Sequence, residues 1–288
     1  MMHYNVIMLK IGLALGSGGP KGLAHIGVLK VLEENNIPID FIAGSSIGSM
    51  VGGFYAARKS ALEIEKIALD MSKIKTISLF FHPSLKNRFS ADQEVIDFIE
   101  EKIGKINFDK LKIPFSAVTT NLKTNRIYVI NKGNVAKAIK ASCSIPYVFK
   151  PTDYDEQSLV DGGLTMPVPV QIVKKMGADI IIAVNLYYDV CNTQTSNFPR
   201  ATLIPLILLN SLSEENCKNA NVIINPKIGH INWKTLLSKK EKIAGIKIGE
   251  DAMHEKIPQL KKLLGLKKEN IFDKIKNFFV ENKLIYIK

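Results

Sequence analysis

The chain has 288 residues, of which 46% are apolar and 23% charged, a balance that fits one large domain, alone or with a small appendage, and excludes wholesale disorder. Lysine and arginine number 39 against 27 acidic residues, a net charge of +12 that favours polyanionic partners; only four of the cations are arginine (Arg58, Arg88, Arg126, Arg200) and aromatics do not alternate with the lysines, so nucleic acid is not the expected partner and an anionic membrane surface is. No apolar run reaches the roughly 18 residues that span a bilayer, and three widely spaced cysteines without a CxxC pair (Cys143, Cys191, Cys217) argue against a disulfide framework and a cysteine zinc site.

In chain order, Val6–Leu15 is an almost continuous apolar run that predicts a strand buried on both faces. Lys10 interrupts it and no small-residue cleavage site follows, so a secretory leader is not expected and a cytoplasmic location is. The run ends in Gly16-Ser17-Gly18-Gly19-Pro20-Lys21-Gly22, and a helix is predicted over Leu23–Asn35. Ile39–Ala43 forms a second short buried strand, and Gly44-Ser45-Ser46-Ile47-Gly48 turns the chain into a helix over Ile47–Arg58. This βαβα opening predicts an α/β sheet covered by helices. Further on, Ser90-Ala91-Asp92-Gln93 has capping-box spacing for a helix reaching Ile103. Phe115–Thr120 and Arg126–Asn131 alternate as a hairpin across Leu122–Asn125. Val135–Ser142 reads as a helix, Ser158–Val160 as a strand leading into Asp161-Gly162-Gly163, and Val168–Met176 as a helix. Ile180–Leu186 and Val222–Ile224 are the last strands, and Tyr187–Pro199 is a polar loop.

Gly44–Gly48 is a GxSxG sequence between a strand and a helix. A nucleophile elbow needs this arrangement: the serine occupies a strained turn with its oxygen projecting, glycines on either side avoid collisions, and the helix N-terminus faces developing negative charge. The plain alternative is a tight turn with a capping serine. Gly16–Gly22 leaves backbone amides pointing at an anion, either a dinucleotide or the oxyanion of an acyl-transfer reaction. A dinucleotide site wants an acidic residue at the carboxyl end of the second strand, where this chain has Ala43-Gly44; Asp40 lies at the other end. What stands at the correct end is Ser46, which favours the oxyanion hole. Its donors come from Gly18, Gly19 or Lys21, because Pro20 has no N–H. The five histidines (His3, His25, His82, His230, His254) are scattered. His230 or His254 after Asp161 would give the order of an α/β-hydrolase triad, yet Ser46 on the second strand leaves no room for that fold's preceding strands. Asp161, at a turn directly after a strand, is the better base; its plain alternative is an Asx-turn.

Taken together, Gly16–Gly22, Gly44–Gly48 and Asp161–Gly163 resemble the three ordered boxes of the patatin-like phospholipases. Leu23–Leu29, Ala141–Pro146 and Pro167–Val170 look like that family's bacterial branch, and the resemblance runs from about Leu9 to Leu264. It implies a three-layer α/β/α fold with a mostly parallel central sheet, and a Ser–Asp dyad that hydrolyses lipid acyl esters through an acyl-enzyme. By the same resemblance Ser46 is the nucleophile and Asp161 its base, Gly18, Gly19, Lys21 and Gly22 sit in the oxyanion-hole box, and Gly44 and Gly48 frame the elbow. Ser17 stands where glycine is common, and lysine replaces arginine at 21, losing the planar fork. No metal or cofactor is required. An acyltransferase on the same fold and a nucleotide-binding protein using Gly16–Gly22 are the competing functions.

The expected division is a hydrolase domain over 1–265 and a basic amphipathic tail over 266–288. From Pro258 onward eight lysines face Glu269, Asp273 and Glu281, and Ile271, Phe272, Ile275, Phe278 and Phe279 share one helical face. Such a tail either lies in a membrane interface, making the protein peripheral at the inner membrane face, or docks on the domain.

Overall fold

The computed structural model describes residues 9–80, 88–146, 148–188 and 200–266. The first half of the chain forms β1 (Ile11–Leu15), α1 (Leu23–Glu34), β2 (Phe41–Ser45), α2 (Ile47–Ala56), α3 (Ala61–Asp70), α4 (Lys73–Phe80), α5 (Arg88–Ile103), β3 (Phe115–Asn121), β4 (Arg126–Ile130) and α6 (Val135–Ser142). Then come β5 (Thr152–Tyr154), β6 (Gln157–Asp161), α7 (Val170–Lys175), β7 (Ile180–Val184), α8 (Arg200–Cys217), β8 (Val222–Ile224), α9 (Lys239–His254) and α10 (Ile257–Leu263).

β1 and β7 are buried at every residue, as their unbroken apolar sequences require. β1 pairs in parallel with β2 and β7, β2 with β3, and β7 with β8; β3 runs antiparallel to β4 and β6, and β5 to β6. The centre of the sheet is therefore parallel and its β3 end mixed. Two apolar cores flank it. The larger joins Leu13, Leu15 and Ile42 to α1, α2, α6 and α9 through Leu29, Phe54, Ile139 and Ile246. The smaller packs Ala14, Ala43 and Val118 against Val170 and Val173 of α7 and Cys217 of α8. A sheet with an apolar core on each face gives the three layers that the sequence predicts.

One feature of the register positions the site. Val118 and Thr119 are consecutive in β3, and both pair with β4 on one side, as Val118↔Val129 and Thr119↔Tyr128. On the other side Val118 pairs with Ser45, the last residue of β2, and Thr119 with Asp161, the last residue of β6. β2 and β6 thus approach each other end to end along the same flank of β3. The chain leaves the sheet at both ends within one residue step, so Ser46 and Asp161 meet although 115 positions separate them.

The structure corrects several sequence-based boundaries. β1 begins at Ile11, where its partners begin; Leu9 and Lys10 are exposed, and Val6–Met8 lie outside the described residues. α5 begins at Arg88, so Ser90 lies within its first turn instead of capping it. Of the Tyr187–Pro199 loop, positions 189–199 lie outside the described residues, as do 267–288, which hold nearly all of the basic tail. Among the described residues no helix is long and apolar enough to cross a membrane.

Candidate active site

A single residue, Ser46, separates the end of β2 from the start of α2, so it must make the whole turn. Its backbone stands at φ 54°, ψ −124°, a region that costs a non-glycine residue about 1–3 kcal/mol. The surroundings hold it there. Its carbonyl accepts from the Ser49 and Met50 amides at 2.8 and 3.2 Å. Its own N–H donates to Ser142 Oγ at 2.9 Å, and Ser142 Oγ–H donates to Val118 O at 2.6 Å. Ser142, at the end of α6, fills the gap in the ladder where β2 stops and β6 has yet to begin. The flanking glycines have a steric cause: a Cβ at Gly44 would lie 2.4 Å from Gly48 O, and one at Gly48 2.1 Å from Leu15 O.

Asp161 closes β6 and caps the turn Gly162–Leu164. Its two carboxyl oxygens make different contacts. Oδ1 accepts the Gly163 amide at 2.7 Å, an Asx-turn, and Oδ2 accepts the Ser46 hydroxyl at 2.5 Å. Burial pushes its pKa up to about 6, outweighing the hydrogen bonds from Ser46 and Gly163 that favour the anion. A carboxyl poised near neutrality and bonded to a serine hydroxyl is suited to proton exchange.

The glycine-rich turn packs over the same spot. The Gly16 and Ser17 amides donate to Val184 O and Pro167 O, and the Lys21 amide donates to Gly18 O, closing the turn. Gly22 backs onto Ile47, where a Cβ would lie 2.2 Å from a side-chain carbon. Of the four residues in the predicted oxyanion box, Lys21 and Gly22 therefore hold the loop together. The Gly18 and Gly19 amides have no partner among the described residues. Both glycines take φ values, 157° and 54°, that other residues avoid.

His25 had no assigned task in the sequence. The structure places it, fully buried, with Nε2 2.7 Å from Gly16 O. Burial lowers its pKa to about 4, so it is neutral near pH 7, and Nε2–H donates. Its position one helical turn after Gly22 was the available signal. His230 is exposed, and His254 faces Glu34 across 3.8 Å on the surface; neither lines the space around Ser46. His3 and His82 lie outside the described residues. Cys143 does line that space, but burial raises its thiol pKa well above the usual range, which keeps it protonated.

Two cavities meet at Ser46. A narrow one is almost wholly apolar and is walled by Met50 and Phe54 of α2, Ile64 and Ile67 of α3, Leu79 of α4 and Phe98 of α5. The other, of about 450 Å³, holds Asp161 and the Ser17–Lys21 turn, with Tyr187, Leu206, Leu209 and Trp233 on its rim. Burial raises the Tyr187 phenol to about 12, so it remains a donor at neutral pH. Tyr187 and Trp233 carry no motif and were not legible as site residues.

The sequence profile of the patatin-like phospholipases matches residues 13–174, more than half of the chain. An uncharacterized NTE family protein of Mycobacterium tuberculosis is 36% identical over 178 residues, covering 62% of this chain and 49% of that protein. Lysophospholipase NTE1 of Pyricularia oryzae is 33% identical over 181 residues, 61% of this chain and 12% of that protein. The chain thus spans about half the length of the mycobacterial relative and a far smaller share of the fungal one. Among solved structures, VipD from Legionella pneumophila superposes with a TM-score of 0.51 at 14% identity, covering 86% of this chain and 66% of that one; at this identity the likeness is one of fold.

Proposed function

From the premise that this chain belongs to the patatin-like phospholipase family, we propose that it hydrolyses the acyl esters of phospholipids, lysophospholipids or similar lipids by a Ser46–Asp161 dyad. The observation that carries this reading is the 2.5 Å contact between Ser46 Oγ and Asp161 Oδ2 at the junction of an apolar and a polar cavity. The acyl chain enters the apolar cavity, where each buried methylene contributes about 0.8 kcal/mol. The alcohol part of the ester lies in the cavity rimmed by Tyr187 and Trp233. The fungal relatives are named lysophospholipases, which supports a single-chain lipid as the first substrate to test.

Ser46 Oγ attacks the ester carbonyl as its proton passes to Asp161 Oδ2. The tetrahedral oxyanion accepts from the Gly18 and Gly19 amides, which have no other partner among the described residues to give up. Collapse breaks the bond to the alcohol oxygen, which takes the proton from Asp161, and leaves an acyl ester on Ser46. Asp161 then deprotonates a water that attacks this ester; the fatty acid leaves and Ser46 recovers its proton. His25 and Ser142 support the two halves of the machinery, holding the glycine turn through Gly16 O and the elbow through the Ser46 amide.

On this reading catalysis resides in the body through residue 265, and residues 266–288 form a separate basic segment. A cytoplasmic protein working at the inner face of a membrane completes the proposal. The test is fatty-acid release from lysophospholipid and from diacyl phospholipid by the wild type and by Ser46→Ala. Release that vanishes in the variant supports the reading, and release unaffected by the substitution refutes it.

A further inference from the structure

Over residues 204–209, α8 is apolar both toward the protein and toward water. From Ala201 to Asn210 it carries no charge. Leu206 and Leu209 line the cavity that holds Asp161. Ile204, Ile207 and Leu208, spaced three and four residues apart, form a stripe on the opposite side and are 60%, 50% and 64% exposed. A helix apolar all round is normally buried, and a contiguous exposed apolar stripe marks a surface that meets another apolar phase. Leu164, which lines the same cavity as Leu206 and Leu209, is 48% exposed.

The charge around this helix specifies that phase. No acidic residue occurs from Arg200 to Ser213. From Asn216 to Lys240 there are five lysines (Lys218, Lys227, Lys234, Lys239, Lys240) and no carboxylate, and all five are exposed. This second segment supplies Gly229, Ile231, Asn232 and Trp233 to the same cavity. Lys218 pairs with Glu215 of α8, whereas Lys227, Lys234, Lys239 and Lys240 form no ion pair among the described residues, so the cavity is flanked by an outward apolar stripe on one element and by four unpaired lysines on the next. Apolar insertion combined with lysine attraction is the pairing by which interfacial helices hold anionic bilayers.

We propose that the outer face of α8, with the lysines of 216–240, docks the protein on an anionic lipid surface and so delivers lipid to the cavity that Leu206 and Leu209 line. This inference rests on the proposed lipid-ester hydrolysis and adds the surface on which it takes place. The experiment uses the full chain and the double variant Ile207→Glu/Leu208→Glu, neither residue lining either cavity. Three readouts are compared: co-sedimentation with vesicles of neutral or mixed neutral and anionic phospholipid, fatty-acid release from those vesicles, and turnover of a water-soluble short-chain ester.

The expected result is anionic-vesicle binding by the wild type that falls by at least roughly tenfold in the variant. Vesicle hydrolysis falls with it, while soluble-ester turnover stays unchanged and shows that the fold and dyad are intact. Equal vesicle binding by both proteins, or wild-type binding indifferent to anionic lipid, overturns the docking proposal. If instead the wild type is a dimer that the variant dissociates, with vesicle binding unchanged, the face is occupied by a second copy and the proposal also fails. A wild type that turns over neither ester fails the hydrolase reading itself, a distinct outcome.

Discussion

Replacing Asp161 by Asn separates activity from stability in opposite directions. In the folded protein the Asp161 carboxyl titrates at about 6 against an ordinary 3.8, because burial disfavours the anion more than Ser46 and Gly163 favour it. A rise of that size corresponds to about 3 kcal/mol. With the folded pKa above the unfolded one, the associated stability is fully present below 3.8, is lost as the pH rises through about 6, and stays lost above it. Asparagine keeps an oxygen for the Gly163 amide and does not ionise. Well above pH 6 the Asn variant should therefore be more stable than wild type, with about 3 kcal/mol as the upper bound, and the advantage should disappear in acid. Equilibrium urea unfolding of both proteins across this range measures it, alongside ester turnover, which the variant should lack. A stability difference independent of pH would refute the assignment of a raised pKa to Asp161. A folded Asn variant with wild-type turnover would remove the dyad altogether.

The same pKa sets the activity profile. Initial rates on a soluble ester should show kcat/KM rising through a single ionisation near pH 6 to a plateau at neutral pH, whereas a flat profile across that range contradicts Asp161 as the base. Ser142→Ala removes the acceptor of the Ser46 amide and leaves Val118 O without its side-chain donor. It should cost about 1–3 kcal/mol of stability and lower kcat roughly tenfold with KM unchanged, while Ser142→Thr, which keeps the hydroxyl, restores much of the rate. A loss of stability alone, with kcat intact, makes Ser142 structural only.

The elements legible in the sequence are those whose pattern has one cause. β1 and β7 are fully buried, so an unbroken apolar run identified them; β3 is buried at every residue too, but its polar Thr119 and Thr120 are hydrogen-bonded inside, so its alternation marks a strand without marking an exposed face. The elbow was legible because close approach of backbone to backbone demands glycine at Gly44 and Gly48, whatever lies elsewhere. α8 and α9 were not. Pro205 sits inside α8, and α9 carries glycines that weaken its helical pattern. Those glycines have a tertiary cause, since a Cβ at Gly249 would stand 2.0 Å from Ala24 O on α1. The meeting of β2 and β6 end to end is likewise invisible in sequence, because it depends on register along β3. Ser46 and Asp161 could be named from local motifs, but the reason they touch is topological. Ser142 acts through hydrogen bonds to backbone groups of two other elements, and such bonds leave no local trace; His25 left only its spacing one helical turn after Gly22.

The central claim is that the Ser46 hydroxyl is an activated nucleophile. Treatment with a fluorophosphonate followed by peptide mass mapping tests it directly. The account predicts one adduct, on the peptide carrying Ser46 and localised to that residue, absent in Ser46→Ala and strongly slowed in Asp161→Asn. An adduct on Ser45 or Ser142, or unmodified protein that still cleaves esters, would contradict it.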